Sequence, residues 1–296
     1  MPPIPPPLAS GFTTTTTAPL YWCRYAPPAP RSRLVVLHGG PGAQHDYVLP
    51  QLLALAEDRE CLFYDQRGGG RSKSDDRAPV TWRTQVQDLT AVLAELAPGP
   101  VSLVGYSWGA LLAMLYALEA AAGRAGPVPA RMVLLDPAPA TRAFRDAFEG
   151  EFARRQASPA IAALRAELAA SGLRERDPEA HKQRAFELSV AGYFADPARA
   201  RDLTPFRVTG RVQQSIWESL GTYDVVTPLR DLRVPSLVVH GRQDPIPLAS
   251  AEAVAEALGA RTCWLDACGH VPYVEQPEAT FAAVRAFLDD TESLAT

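Results

Sequence analysis

Short apolar runs that each stop at a glycine- or proline-rich turn are the feature that most restricts what this chain can fold into. RLVVLHGGPG, CLFYDQRGGGRS, VSLVGYSWG and RMVLLDPAP follow one another in the first half of the sequence, and VPSLVVHGRQD and TCWLDACGH repeat the pattern near its end. Runs this short, bounded by turn residues, predict buried strands. Between them lie stretches such as WRTQVQDLTAVLAELA, whose apolar residues recur at helical spacing, and PEATFAAVRAFLDD predicts a closing amphipathic helix. Strand, turn, helix and strand in succession make βαβ units. The expected fold class is therefore α/β, a mostly parallel central sheet flanked by helices on both faces.

The pattern breaks after Asp136 and resumes at VPSLVVHGRQD. The text between is rich in Ala, Arg and Glu and reads as helix throughout; TRAFRDAFEGEFARRQ, SPAIAALRAELAASG and DPEAHKQRAFELSVAGYF each open at a capping or breaking residue. So long an interruption of a sheet protein predicts an inserted helical lid rather than a loop. The expected organisation is residues 1–136 as the N-terminal part of the core, 137–232 as the lid and 233–296 as the C-terminal part of the core. A chain of 296 residues, 47% hydrophobic, can bury a core of that size. At the N-terminus, GFTTTTTAPLYWCRY predicts a hairpin, with an Ala-Pro turn between a threonine run and an aromatic-rich run.

The net charge of −4 comes from acids and bases mixed along the chain rather than in blocks, which argues against nucleic acid or an anionic lipid surface as partner. A small-molecule or short-peptide substrate is expected instead. Cys23, Cys61, Cys263 and Cys268 lack metal-ligand spacing, and no disulfide is expected among them. The opening MPPIPPPLAS lacks the basic and apolar regions of a signal peptide, and no apolar run is long enough for a bilayer; a soluble, cytoplasmic protein is the expectation.

The stretch LVGYSWGALL places one serine, Ser107, between Gly105 and Gly109 where a strand meets a helix. This is the G-x-S-x-G nucleophile elbow, a turn so tight that the glycines are needed where neighbouring backbone passes and the serine hydroxyl projects outward. A serine hydroxyl needs an imidazole as base and a carboxylate to orient it, arriving in the chain order serine, acid, histidine. Of five histidines, His38 and His45 come too early, His181 lies in the expected lid and His240 inside a strand, leaving His270 in the loop of ACGHVPY. Asp244, in the turn after SLVVHG, is the expected acid, and Asp136, which also ends a strand, is its rival. The oxyanion formed during attack needs two aimed backbone N–H groups. Trp108, directly after the serine, and Gly40, in the HGGPG turn, are the expected donors. HGGPG and RGGGRS lack the endings and spacing of nucleotide-binding loops.

Together HGGPG, YDQRGGGRS, GYSWG, GRQD and CGH resemble the α/β-hydrolase superfamily, and within it the proline iminopeptidase family of serine aminopeptidases, over Leu34 to Asp136 and Val234 to Leu288. The resemblance implies an α/β-hydrolase fold and a peptidase that removes an N-terminal residue, often proline, from short peptides without a metal or cofactor, through Ser107, Asp244 and His270, with Gly40 and Trp108 as the oxyanion hole. It also implies lid glutamates that hold the substrate's ammonium. Glu149, Glu151, Glu187 and Glu218 are candidates, and Glu218, beside Trp217 in QSIWESL, is favoured. Trp217 is a candidate pocket residue, as are Tyr223 and Tyr273. Tyr106 departs from the Gly or Gln that members commonly carry before the nucleophile, and its ring is expected to alter the pocket. Asp65, Arg67 and the glycines around them are expected to form a structural turn beside the site.

Overall fold

The computed structural model describes residues 4–74 and 78–290. Strands β1 (Ala9–Phe12), β2 (Tyr21–Tyr25), β3 (Arg33–Leu37) and β4 (Glu60–Tyr64) come first, followed by α1 (Trp82–Leu96), β5 (Ser102–Tyr106), α2 (Trp108–Ala121) and β6 (Arg131–Leu135). Then come α3 (Arg142–Gln156), α4 (Pro159–Ala170), α5 (Leu173–Arg176), α6 (Pro178–Val190), α7 (Gly210–Leu220) and α8 (Val226–Leu229). After these, β7 (Ser236–Gly241), α9 (Leu248–Leu258), β8 (Arg261–Leu265), α10 (Pro272–Glu275) and α11 (Pro277–Asp289) complete the described part.

The strands form one eight-stranded sheet in the order β1-β2-β4-β3-β5-β6-β7-β8, antiparallel at its first two pairs and parallel from β4 to β8. Adjacent residues of a strand face opposite sides of a sheet. Leu103 and Leu134 therefore pack with Leu111 and Met114 of α2 on one face, while Val104 and Val133 pack with Phe281 and Val284 of α11 on the other. Burial on both faces is why these strands are apolar without alternation. It also aligns the carboxyl ends of β3, β5, β6, β7 and β8, where an open parallel sheet collects its functional loops.

The residues between β6 and β7 form helices, and an isolated bridge, Thr141 to Asp224, ties the beginning of this segment to its end. Thr141, Ser158 and Asp177 cap α3, α4 and α6, each side chain accepting a backbone N–H of the first turn. No helix among the described residues is long and apolar enough to cross a membrane.

The N-terminal hairpin is present, but the threonine run is not one of its strands. Ala9–Phe12 pairs with Tyr21–Tyr25, and the threonines lie in the connection. The reason is local competition for hydrogen bonds: the backbone N–H groups and hydroxyls of Thr14 and Thr15 bind the Glu95 carboxylate at the end of α1, which draws the segment out of the ladder.

The two glycines of the elbow are required by contact distance. A Cβ at Gly109 would stand 2.0 Å from the Leu37 carbonyl oxygen of β3, and one at Gly105 would stand 2.4 Å from the Gly109 carbonyl oxygen. Both obstacles are backbone and cannot rotate away. Gly109→Ala is expected to cost about 3 kcal/mol or more, as overpacking a rigid core does. Urea unfolding checks this, and a wild-type midpoint would refute it.

Candidate active site

Ser107 occupies the turn between β5 and α2 at φ 52° and ψ −116°, a left-handed conformation uncommon for a residue with a side chain. Its backbone N–H donates to the Leu135 carbonyl at 2.9 Å, which ties the elbow to β6. The hydroxyl meets His270 Nε2 at 2.9 Å, and His270 Nδ1 meets Asp244 Oδ2 at 2.7 Å. The second Asp244 oxygen accepts the Ile246 N–H at 2.7 Å. Burial raises the Asp244 carboxyl, but the His270 imidazole and its hydrogen bond outweigh it and hold the group below its ordinary value. A carboxylate thus backs the imidazole, and the imidazole's other nitrogen faces the hydroxyl.

The imidazole is fixed from outside the sheet as well. Its ring lies between Tyr193 (centroids 5.1 Å apart, 28° between planes) and Tyr106 (5.4 Å, 39°). The His270 N–H donates to the Tyr193 carbonyl at 2.7 Å, and buried Glu275 of α10 accepts both the Gly269 and Ala195 N–H groups at 2.8 Å. The histidine loop and the helical segment between β6 and β7 are therefore one hydrogen-bonded unit. Tyr193 and Glu275 were not singled out from the sequence. One is far from any motif, and the other reads as an ordinary helix glutamate in PYVEQP.

Gly40 (φ 55°) and Trp108 line the same cavity as Ser107 and His270. Trp108 is the first residue of α2, where a backbone N–H has no carbonyl one turn earlier to receive it. A side chain that sequence reasoning passed over holds these two segments together. Gln66 donates through Nε2 to the His38 carbonyl at 2.8 Å and accepts the Trp108 indole N–H through Oε1 at 2.8 Å. Its backbone N–H donates to His38 Nε2 at 3.1 Å, so His38 Nδ1–H is the donor to the Gly39 carbonyl at 2.9 Å. Burial pushes His38 down to about 4, keeping it neutral in this bridge. Gln66→Leu is expected to lower kcat by up to about 10²-fold with KM little changed, the penalty for loosening a site by a fraction of its geometry. Steady-state kinetics check this, and an unaltered kcat would remove Gln66 from the account.

Two cavities meet at Ser107 and His270. The larger, about 540 Å³, is bounded by Arg145, Glu149, Gln213, Gln214 and Trp217. The smaller, about 320 Å³, is lined by aromatic and aliphatic side chains that include Tyr47, Tyr106, Phe186, Phe206 and Val208. Trp217 and Tyr106 thus each face one of them. Glu218 does not. α7 buries Val212 and Ile216, which turns Glu218 to the exposed side, where its carboxylate accepts from Gln214 Nε2 at 2.7 Å. Of the other glutamates, Glu149 reaches the larger cavity, paired there with Arg145 Nε at 2.8 Å while the guanidinium lies 4.3 Å over the Trp217 ring. Glu151 is bound by Arg154 and Arg155, which hold it down to about 2, and Glu187 is engaged by Gln183 and Arg184. Tyr223 donates to the Pro139 carbonyl at 2.9 Å, and Tyr273 packs edge-on against Tyr106; both are buried and line neither cavity. Asp65 accepts from His45, and Arg67 pairs with Asp88.

Asp136, just past the end of β6, makes no hydrogen bond to His270 or Ser107; its side chain accepts from the Gly241 N–H instead. It lies against His240 and Asp244, the one group among the described residues with metal-ligand side chains in reach of each other. Asp244 there is already engaged by His270 and Ile246.

The sequence profile described as "Alpha/beta hydrolase family" matches residues 34–284. The chain belongs to the alpha/beta hydrolase family. A curated relative, the proline iminopeptidase of Lactobacillus crispatus (strain ST1), is 26% identical over 277 residues, spanning 88% of this chain and 90% of the relative. Two solved alpha/beta hydrolase neighbours share the fold. A proline iminopeptidase from Mycobacterium smegmatis superposes with TM-score 0.69 at 23% identity, covering 95% of this chain and 97% of its own. An enol-lactonase from Burkholderia xenovorans LB400 does so with TM-score 0.66 at 21% identity, covering 95% and 100%.

Proposed function

We propose that this alpha/beta hydrolase is a serine aminopeptidase that releases an N-terminal proline or small apolar residue from short peptides or amides through an acyl-enzyme. The observation that carries the hydrolytic part is the continuous chain Asp244–His270–Ser107, with the serine at a strained elbow facing two cavities. His270 Nε2 takes the Ser107 proton as Oγ attacks the carbonyl carbon, and Asp244 faces the imidazolium that results. The N–H groups of Trp108 and Gly40 receive the oxyanion. His270 then gives the proton to the leaving nitrogen, and water repeats the sequence on the acyl-enzyme. The helical segment over the site, residues 137–232, acts as the lid that shapes both cavities.

The peptidase part is supported by the curated relatives, which are named proline iminopeptidases, and by Glu149, the lid glutamate at the cavity wall. A second reading has its own observation. Glu149 is neutralised by Arg145, and the smaller cavity is apolar, which suits a carboxylesterase or lactonase acting on small apolar acyl groups. Prolyl and alanyl β-naphthylamides, with and without N-terminal acetylation, measured beside p-nitrophenyl acetate and butyrate, separate the two. Turnover restricted to free-amine anilides is expected. Turnover of the esters alone would transfer the assignment to the esterase reading.

A further inference from the structure

Asp136 leaves the sheet at φ 38°, fully buried, in a conformation a side-chain-bearing residue seldom adopts. Its Oδ1 accepts the Gly241 N–H at 2.9 Å and stands 3.3 Å from His240 Nδ1, while its Oδ2 and that Nδ1 are both buried without a hydrogen-bond partner. His240 Nε2 faces the Ile246 carbonyl at 3.2 Å. A carbonyl only accepts, so the ring hydrogen is on Nε2, and Nδ1 presents a lone pair to the carboxyl of Asp136. Two acceptors do not face each other in a dry interior unless a proton lies between them. On the other side the Asp244 carboxylate lies 3.7 Å from the same Nδ1, and the three groups have ligand atoms within 4.8 Å of one another.

We infer that Asp136 is a neutral carboxylic acid in the folded protein, a positioning residue whose proton bridges β6 to the His240–Asp244 side and leaves Asp244 as the single negative charge behind His270. The role rests on the triad reading above, whereas the protonation state does not. The titratable groups facing Asp136 include Asp244, His240 and Glu275, with Tyr106, Tyr273 and Cys268 beyond them, and among the described residues Asp136 forms no ion pair with a lysine or arginine that would hold a second carboxylate. Burial and the Asp244 charge push the Asp136 carboxyl well above its ordinary value, and burial pushes the His240 imidazole below its own, so the proton is on the acid. An ionised Asp136 would set two carboxylates against one imidazole and over-stabilise its charged form, which a base must be free to leave.

Two measurements test this. Carboxyl-carbon NMR of the wild-type chain with labelled aspartate needs no substitution, and one aspartate signal is expected to stay at the protonated position at neutral pH. Unfolding of wild type and Asp136→Asn is then compared across pH. A native state that keeps a proton the unfolded chain releases loses stability as pH rises above the ordinary carboxyl range. The wild-type unfolding constant should therefore rise relative to the variant's by up to about tenfold per pH unit above the ordinary carboxyl range, until the native acid itself ionises. With substrate, Asp136→Ala should lower kcat by about tenfold or more at unchanged KM. Asp136→Asn, which keeps a neutral donor, should restore most of the loss. Parallel stability curves, or the absence of a protonated aspartate at neutral pH, would overturn the inference even if Ser107 proves to be the nucleophile. Persistence of both signals in an enzyme whose Ser107 is dispensable would leave Asp136 neutral and sink the triad reading alone.

Discussion

Ser107→Ala lowers kcat by about 10⁶-fold on whichever substrate the enzyme turns over, the scale of removing the nucleophile from a serine triad. The variant remains folded, because the Ser107 side chain makes one hydrogen bond, to His270, and the elbow itself is held by backbone: the Ser107 N–H on Leu135 and the Ala138 N–H on the Ser107 carbonyl. Alanine at φ 52° is strained no more than serine is, so the thermal midpoint stays close to that of the wild type. Kinetics on purified protein with a matched unfolding curve check both halves. Residual activity within a hundredfold of wild type would mean that another group performs the chemistry.

Asp244→Asn is expected to lower kcat by about 10⁴-fold, through the imidazole tautomer rather than through lost contacts. The amide keeps an acceptor for the Ile246 N–H at that turn, so the loop has no reason to move. What changes is the partner of His270 Nδ1. An amide that donates there forces the ring hydrogen onto Nε2, the nitrogen that must accept the Ser107 proton. Loss of kcat with little change in KM is the signature. A loss below tenfold would transfer the orienting role to Asp136, the other acid at the carboxyl end of a strand beside the site.

Much of this architecture was legible because each strand announces itself twice, by an apolar run and by the turn residues that end it. The elbow was legible for a contact reason: Gly105 and Gly109 are glycines because backbone passes within van der Waals distance of both. Serine, acid and histidine were picked by chain order and by their places after strands, and the structure brings Ser107, His270 and Asp244 within hydrogen-bond distance. The substrate side was less legible. Glu218 and Glu149 are both helix glutamates near aromatics, and only the rotation of α7 and α3 about their axes, set by long-range packing, turns one outward and the other to the cavity. Gln66 carries no signal of its own inside DQRGGGRS, since its importance depends on His38 and Trp108 arriving from two other strands' ends. The threonine run reads as strand by propensity and is claimed by a carboxylate 81 residues away.

The central claim is that Ser107 forms a covalent acyl-enzyme with His270 as its base. It is tested most directly by reacting the wild-type protein with a fluorophosphonate probe and mapping the adduct by peptide mass spectrometry. One adduct, on the Ser107 peptide and lost on replacing His270 by Ala, is the predicted result. Unmodified protein, or an adduct on any other residue, would contradict the account.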